Sequence, residues 1–282
     1  MKKIGIVGLG IMGRGIASNF LKHKYPLYVW NRTIKVADGF SKMGAVVCKT
    51  PAEVAQKADI VFEVTANDES SKHVWTGKNG ILAGARPDSL LVASATLSSQ
   101  WIDTLIKLSK KEHVTFMDIA LTGGRVGAET GSLTLLCGGD KSKLEKIRPV
   151  LEAIAKKIFY FGPEGHGMKY KLILNFLQAL HMFGFGQAMQ IAKAYDMDLK
   201  KVSEALMDRP GGVVTGIAQK AYFENPAPLT FSIEWITKDL TYAKKLAKGL
   251  DVPLLDKTLA LYRKGVKKNM AKQDWASINT LL

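Results

Sequence analysis

Hydrophobic and polar positions follow two different periods along this chain of 282 residues. In the first part, short apolar runs rich in β-branched residues alternate with segments of helical periodicity, such as residues 12–24 and 51–57. The predicted strands are residues 3–8, 27–31, 45–48, 59–65, 89–94, 114–119, 132–137 and 158–161. Strands that alternate with helices predict βαβ units and a largely parallel sheet with helices on both faces.

The pattern changes after Gly162. Residues 167–195 contain no proline and many Leu, Met, Phe, Gln and Ala, which predicts one long, mostly buried helix. Further helices are predicted at residues 199–207, 215–224, 233–250 and 253–269, with breaks at 210–212 and 225–228, where Pro and Gly or Asn cluster. The sequence therefore predicts an α/β domain over residues 1–162 and an all-helical domain over residues 163–282, joined by the long helix.

The first motif with chemical meaning is a glycine-rich run between the first predicted strand and the first predicted helix. Its sequence is Gly8-Leu9-Gly10-Ile11-Met12-Gly13. In this context, the first glycine permits the tight turn, the second allows a pyrophosphate to approach the backbone, and the third permits close packing of helix and strand. Amide groups at the amino end of the helix, where Ile11 and Met12 lie, bind phosphate. The run predicts a dinucleotide site on a doubly wound, Rossmann-type sheet.

The end of the second predicted strand indicates which dinucleotide binds. NAD-binding sheets usually place Asp or Glu here to bind the ribose hydroxyl groups. This chain has Asn31, Arg32 and Thr33 instead. An asparagine does not repel a 2′-phosphate, an arginine pairs with it, and a threonine adds a hydroxyl donor. We therefore expect NADP(H) to be preferred over NAD(H), although Arg32 also fits a plain surface arginine.

Two later segments are candidates for the chemical step. Thr122-Gly123-Gly124 follows a predicted strand, and its backbone amides fit either an anion pocket for a carboxylate or a simple turn. On the long helix, Lys171 and Asn175 are four residues apart and share a face. A lysine among Leu, Ile, Phe and Met is costly to bury, which favours a functional role.

Composition narrows the function classes. Cys48 and Cys137 lie far apart without metal or disulfide spacing, and the five histidines are scattered, so we expect no metal and a reducing, cytoplasmic location. No apolar run is long enough to predict a membrane span. The net charge of +15 favours anionic ligands. Most of the lysines fit a solvated helical face, and no aromatic residues alternate with them as in single-strand binding grooves, so no nucleic acid partner is expected.

Four ordered motifs together resemble the β-hydroxyacid dehydrogenase family over nearly the whole chain. The family's GLGxMGxxxAxN run is matched at residues 8–19. Its DxPxSGG run is similar to residues 118–124, with Ala120 in place of proline and Thr122 in place of serine. Its GxGxxxKxxxN segment is matched by Gly165, Gly167, Lys171 and Asn175, and its KDL element by residues 238–240. The two replacements leave the identity of the substrate open.

The resemblance implies a role for each matched position. Lys171 would be the catalytic acid/base and Asn175 its orienting neighbour. The remaining implied positions are Thr122, Gly123, Gly124 and Lys238 for the substrate carboxylate; Phe231 and Asp239 lining the substrate or cofactor side; and Thr65, Ala66, Asn67, Thr96 and Lys238 along the cofactor.

The resemblance also implies a reaction and an assembly. We expect interconversion of a small, anionic hydroxy acid and its oxo acid, as a reductase of aldehyde acids such as glyoxylate, succinic semialdehyde or tartronate semialdehyde. A homodimer or homotetramer joined through the helical domains is expected. The alternatives are an imine reductase-like enzyme, against which Lys171 argues, and a non-catalytic NADP- or nucleic-acid-binding relative, which only the charge favours.

Overall fold

The computed structural model describes residues 1–208, 212–224, 226, 229 and 231–281. The chain divides into two compact units, Met1–Lys171 and Leu172–Leu282. Among the described residues, no helix is both long enough and apolar enough to cross a membrane.

The first unit, which is described throughout, is built on a single eight-stranded sheet. Its strands are β1 (Ile4–Val7), β2 (Leu27–Trp30), β3 (Val46–Val47), β4 (Ile60–Glu63), β5 (Leu90–Ala93), β6 (Thr115–Thr122), β7 (Leu133–Gly138) and β8 (Ala155–Tyr160). They lie in the order β3-β2-β1-β4-β5-β6-β7-β8, and all neighbours are parallel except β6 and β7. The first six strands have the Rossmann order, in which the crevice beside β1 and β4 binds dinucleotides.

Local sequence explains most helices of this unit. They are α1 (Ile11–Lys22), α2 (Ile34–Ser41), α3 (Pro51–Lys57), α4 (Asp68–Trp75), α5 (Ile81–Gly84), α6 (Ser99–Lys111), α7 (Gly124–Thr130) and α8 (Lys141–Leu151). Helix α3 begins at Pro51, and the Thr50 side chain accepts a hydrogen bond from the Glu53 backbone N–H, because both residues suit a helix amino terminus. Asp140 caps α8 in the same way. The strands β1, β4 and β5 are buried along their whole length.

The second unit is helical. Helix α9 (His166–Ala194) crosses the border between the units and is followed by α10 (Leu199–Met207), α11 (Gly212–Phe223), α12 (Ile233–Leu246), α13 (Pro253–Lys267) and a 3-10 helix at Trp275–Leu281. Its core includes Leu172, Met182 and Phe183 of α9 and Tyr262 of α13, and the rings of Phe183 and Tyr262 meet edge to face.

The structure confirms the predicted fold class, a Rossmann-type sheet followed by helices, and it differs from the prediction in some details. Strand β6 does not end at residue 119; it continues to Thr122 because residues 120–122 pair with the antiparallel strand β7. Most of α9 is buried or half-buried, as predicted, but the apolar residues Ile173, Leu177 and Ile191 are exposed. The predicted breaks at 210–211, 225 and 227–228 lie outside the described residues.

Candidate cofactor and substrate site

The glycine loop has the geometry that a dinucleotide-binding turn needs. Gly8 has a φ of 105°, a left-handed conformation, and its N–H donates to the Trp30 carbonyl over 2.9 Å. A Cβ on Gly13 would collide with the Gly8 carbonyl oxygen, so a glycine is required where α1 turns away from β1. A Cβ on Gly10 would meet nothing within 4 Å. The backbone at Gly10 therefore borders open space, which fits the approach of a pyrophosphate.

The three residues after β2 have different surroundings. The Asn31 side chain accepts a hydrogen bond from the Leu9 N–H over 2.9 Å and donates one to the Thr33 carbonyl over 3.0 Å. Asn31 thus holds the glycine loop in place. Arg32 and Thr33 are exposed at the start of α2, and among the described residues no acidic side chain forms an ion pair with Arg32.

The residues predicted to lie along the cofactor follow β4 and β5. The Thr65 N–H donates to a carboxylate oxygen of buried Glu63 over 2.9 Å, and the Thr65 hydroxyl donates to the same oxygen. Asn67 caps α4 by accepting from the Ser70 N–H, and the Ala66 N–H donates to the Ser70 hydroxyl. The parallel strands β1, β4 and β5 are neighbours, so Thr65–Asn67 and Thr96 follow their strands at the same edge of the sheet as the glycine loop.

The predicted carboxylate-binding residues lie where β6 turns into α7. Thr122 is the last residue of β6 and is opposite Thr134 of β7. Gly123 and Gly124 follow with φ angles of 116° and 60°, which residues other than glycine rarely adopt. A Cβ on Gly124 would lie in open space, so its backbone is accessible to a ligand.

Lys171 lies in the second turn of α9 and is partly buried. Sequence reasoning gave no role to Asp118 of β6, which is fully buried and accepts hydrogen bonds from backbone N–H groups at the start of α9. Burial raises the pKa of Asp118 to about 6, although the two backbone hydrogen bonds oppose the shift. The signals in the sequence were its place as the first residue of the matched run at 118–124 and its position as an acidic residue within an apolar strand.

In the second unit, three predicted residues are bonded to one another. The Asn175 amide of α9 donates to one carboxylate oxygen of Asp239 over 2.6 Å, and the Lys238 Nζ lies 2.9 Å from the other. Both Asn175 and Asp239 are buried, and Lys238 and Asn175 compensate the buried charge. Phe231 is not part of this group, since its ring packs between Trp235 and Trp275.

The predicted site residues are thus distributed over both compact units, and their functional roles stay predictions. Within the described parts of the chain, no group of three or more His, Cys, Asp or Glu side chains is arranged to hold a metal ion.

A dinucleotide loop on a 3-2-1-4-5-6 sheet, followed by a helical unit, defines the class of NAD(P)-binding oxidoreductases. Residues 3–162 match the family model of the NAD binding domain of 6-phosphogluconate dehydrogenase. Residues 165–282 match the model described as NAD-binding of NADP-dependent 3-hydroxyisobutyrate dehydrogenase. The chain belongs to the β-hydroxyacid dehydrogenase family, as the motifs predicted.

Named relatives agree with this assignment. Mitochondrial 3-hydroxyisobutyrate dehydrogenase of Mus musculus is 30% identical over 98% of this chain and 85% of its own length. The NAD-dependent L-serine dehydrogenase of Pseudomonas aeruginosa is 28% identical over 100% of this chain and 98% of its own. Among solved structures, 3-hydroxyisobutyrate dehydrogenase of Mycobacterium tuberculosis with L-serine has a TM-score of 0.88 at 25% identity, covering 100% of this chain and 99% of its own.

Proposed function

We propose that this protein is an NADP(H)-dependent oxidoreductase that interconverts a small β-hydroxy acid and its oxo or semialdehyde acid, with Lys171 as the general acid/base. Membership of the family supports the reaction class. The observation that carries the assignment is Lys171 itself, on the matched segment of α9, one turn before the buried Asn175. We further propose that it acts as a reductase of aldehyde acids such as glyoxylate, succinic semialdehyde or tartronate semialdehyde.

The protein's own groups account for substrate binding and proton transfer. The bound nicotinamide supplies the hydride for reduction. The ammonium group of Lys171 donates a proton to the carbonyl oxygen, which becomes the hydroxyl of the product, and in the reverse direction the neutral amine accepts that proton. The backbone at Thr122–Gly124 and the Lys238 ammonium bind the carboxylate. Asp239 orients Lys238 through the 2.9 Å ion pair, while Phe231 shapes the substrate side.

The glycine loop and the end of β2 fit the cofactor. Gly10 borders the space for the pyrophosphate, and Asn31 fixes the loop through Leu9. Arg32 and Thr33 would bind the 2′-phosphate of NADP(H), because both side chains are exposed and no carboxylate lies at this position to repel it. The cytoplasmic location stays a prediction. The cysteines on which it rests, Cys48 and Cys137, are buried free thiols.

The test follows nicotinamide absorbance with NADPH and NADH against a panel of small aldehyde acids. We expect one acid to be reduced with NADPH, and Lys171→Ala to lower turnover by about 10²–10⁴-fold while NADPH still binds, because proton transfer by a placed group contributes that factor. Lys169→Ala is the matched control, since residues two apart on a helix do not share a face. Near-normal turnover of Lys171→Ala would refute the assignment, and oxidation of NADPH only with imines would favour an imine reductase.

A further inference from the structure

Helix α9 begins without a side chain of its own to cap it. The Gly165 carbonyl accepts the first helical hydrogen bond, from the Lys169 N–H over 3.0 Å, so Gly165 is at the capping position and has no side chain. The first N–H groups of a helix have no partner within the helix and need one from elsewhere. This end of α9 is also the one nearest to Lys171.

Asp118, on the sheet, supplies acceptors for two of the N–H groups at the start of α9. One carboxylate oxygen accepts from the Gly165 N–H and the other from the Met168 N–H, each over 2.6 Å. In a capping box, two side chains on the helix satisfy this same pair of donors. Here a single side chain, distant in sequence, satisfies both, and its negative charge faces the positive end of the helix dipole.

Close packing fixes the position of the cap. A Cβ on Gly138 of β7 would lie 2.5 Å from the Asp118 carboxylate and 2.8 Å from the Gly167 N. A Cβ on Gly167 would collide with the Leu136 carbonyl oxygen. The first turn of α9 is therefore packed directly against β6 and β7, where the Asp118 carboxylate reaches it.

The same turn is joined to the loop that carries Thr96. The Met168 sulfur lies 3.4 Å from the Leu97 N–H, which donates to it, and Met168 is fully buried. Lys171 follows Met168 by three residues and so lies on the same side of the helix, one turn on. A shift of the Met168 N–H would therefore move the Lys171 ammonium with respect to the strand ends.

We infer that Asp118 is a positioning residue for proton transfer: by capping α9 from β6, it sets the location of the Lys171 Nζ. The inference rests on the proposed role of Lys171. Asp118 itself cannot bind the substrate, because it is fully buried and both of its oxygens are engaged.

The ionisation of Asp118 is consistent with this role. Burial raises the pKa of Asp118 to about 6, which leaves the carboxylate ionised at neutral pH and able to accept both hydrogen bonds. The groups that face it are His166 of α9, which lowers this pKa, and the buried Cys137 thiol of β7, whose own pKa it raises.

The test is Asp118→Asn in the full-length protein. The asparagine side chain has nearly the same size as that of aspartate. Its oxygen can accept only one of the two hydrogen bonds, from Gly165 or from Met168, and its NH2 group would face the other N–H. We expect hydrogen exchange at residues 165–171 to rise about 3- to 30-fold. Turnover should fall about 10- to 100-fold, because small displacements of a catalytic group cost that much, while KM for the acid and NADPH affinity change little. The pH profile of turnover should change as well, because the Lys171 ammonium would be displaced from its position.

Asp140→Asn is the matched control. Asp140 also accepts two backbone N–H groups, at the start of α8, but its helix carries no predicted catalytic residue. We expect normal turnover and an unchanged pH profile for this variant. If Asp118→Asn does not fold, Asp118→Ser, which is smaller and keeps one hydroxyl acceptor, takes its place in the same assays.

Three outcomes would overturn the inference, and they are distinguishable. Unchanged exchange at residues 165–171 would show that Asp118 is not the cap. If Asp118→Asn exchanges faster but keeps normal turnover and a normal pH profile, the cap is purely structural. The proposed function would still stand if Lys171→Ala abolishes activity. Normal turnover of Lys171→Ala would remove the proposed function and the inference with it.

Discussion

At the residue scale, the proposed preference for NADP(H) rests on Arg32 and Thr33, which follow Asn31 at the end of β2. The sequence predicted that Asn31, Arg32 and Thr33 would bind the cofactor as a set. The Asn31 amide is engaged with the Leu9 N–H and the Thr33 carbonyl, and the Arg32 side chain is exposed beside it. The sequence at the end of β2 shows that no carboxylate is present. It does not show which way the Asn31 amide points, because that depends on the position of Leu9 in the glycine loop, 22 residues earlier in the chain.

If the proposed preference for NADP(H) rests on Arg32, Arg32→Ala should remove it selectively. A charge-assisted hydrogen bond contributes about 1.5–3 kcal/mol, so we expect the KM for NADPH to rise roughly 10- to 100-fold and that for NADH to change little. Lys42→Ala, at the other end of α2 and also exposed, is the control for loss of a surface charge. Steady-state kinetics with both cofactors give the answer. Equal losses for NADPH and NADH would contradict the assignment.

At the scale of elements, α1 and α7 are packed together by Asn19. Its buried amide donates to the Ala128 carbonyl over 2.7 Å and to the Gly15 carbonyl over 2.9 Å. A Cβ on Gly15 would lie 2.6 Å from the Ala128 backbone, so the two helices are in direct contact. Helix α1 follows the glycine loop, and α7 follows Thr122–Gly124. One helix pair thus supports both the predicted cofactor loop and the predicted substrate loop.

Asn19→Ala should weaken both loops together. Leaving buried carbonyl groups without a donor costs about 1–3 kcal/mol of unfolding free energy, which thermal unfolding would show as a lower Tm. We also expect the KM values for NADPH and for the acid to rise in parallel. The control is Asn79→Ala, at an exposed loop position. If Tm falls but neither KM value changes, Asn19 stabilises the unit without holding the loops.

Elements defined by contacts close in sequence could be predicted well, whereas elements defined by contacts distant in sequence could not. Strands such as β1, β4 and β5 are apolar runs that carry their own signal, and the predicted bounds differ from the observed ones by one or two residues. The end of β6 depends on pairing with β7, which no local pattern reveals. The same holds for the site. Motifs indicated Lys171 and Asn175, but the bond from Asn175 to Asp239 spans 64 residues and the cap from Asp118 to Met168 spans 50.

At the scale of the whole molecule, the exposed apolar residues of α9 are informative. The apolar residues that predicted a mostly buried helix include Ile173, Leu177 and Ile191, whose exposed fractions are 56%, 47% and 62%. Their spacing of four and fourteen residues places them along one side of the helix. A row of exposed apolar side chains on one helix marks an interaction surface more often than isolated ones do. This row supports the predicted homodimer or homotetramer, since a second copy would cover it.

The association prediction is tested with Leu177→Glu and Ile191→Glu, separately and combined. Both positions are exposed in the single chain, so the charge should change the stability of the monomer by only about 0.5 kcal/mol, whereas in an apolar interface it would be buried without a partner. We expect sedimentation velocity to show an oligomer for the unmodified protein and a smaller species for the variants. Leu254→Glu, at an equally exposed apolar position on α13, should leave the assembly unchanged. If the double variant is still an oligomer, the contact between copies lies elsewhere on the molecule. If the unmodified protein is a monomer, there is no such contact. In either case the exposed row on α9 would need a different partner.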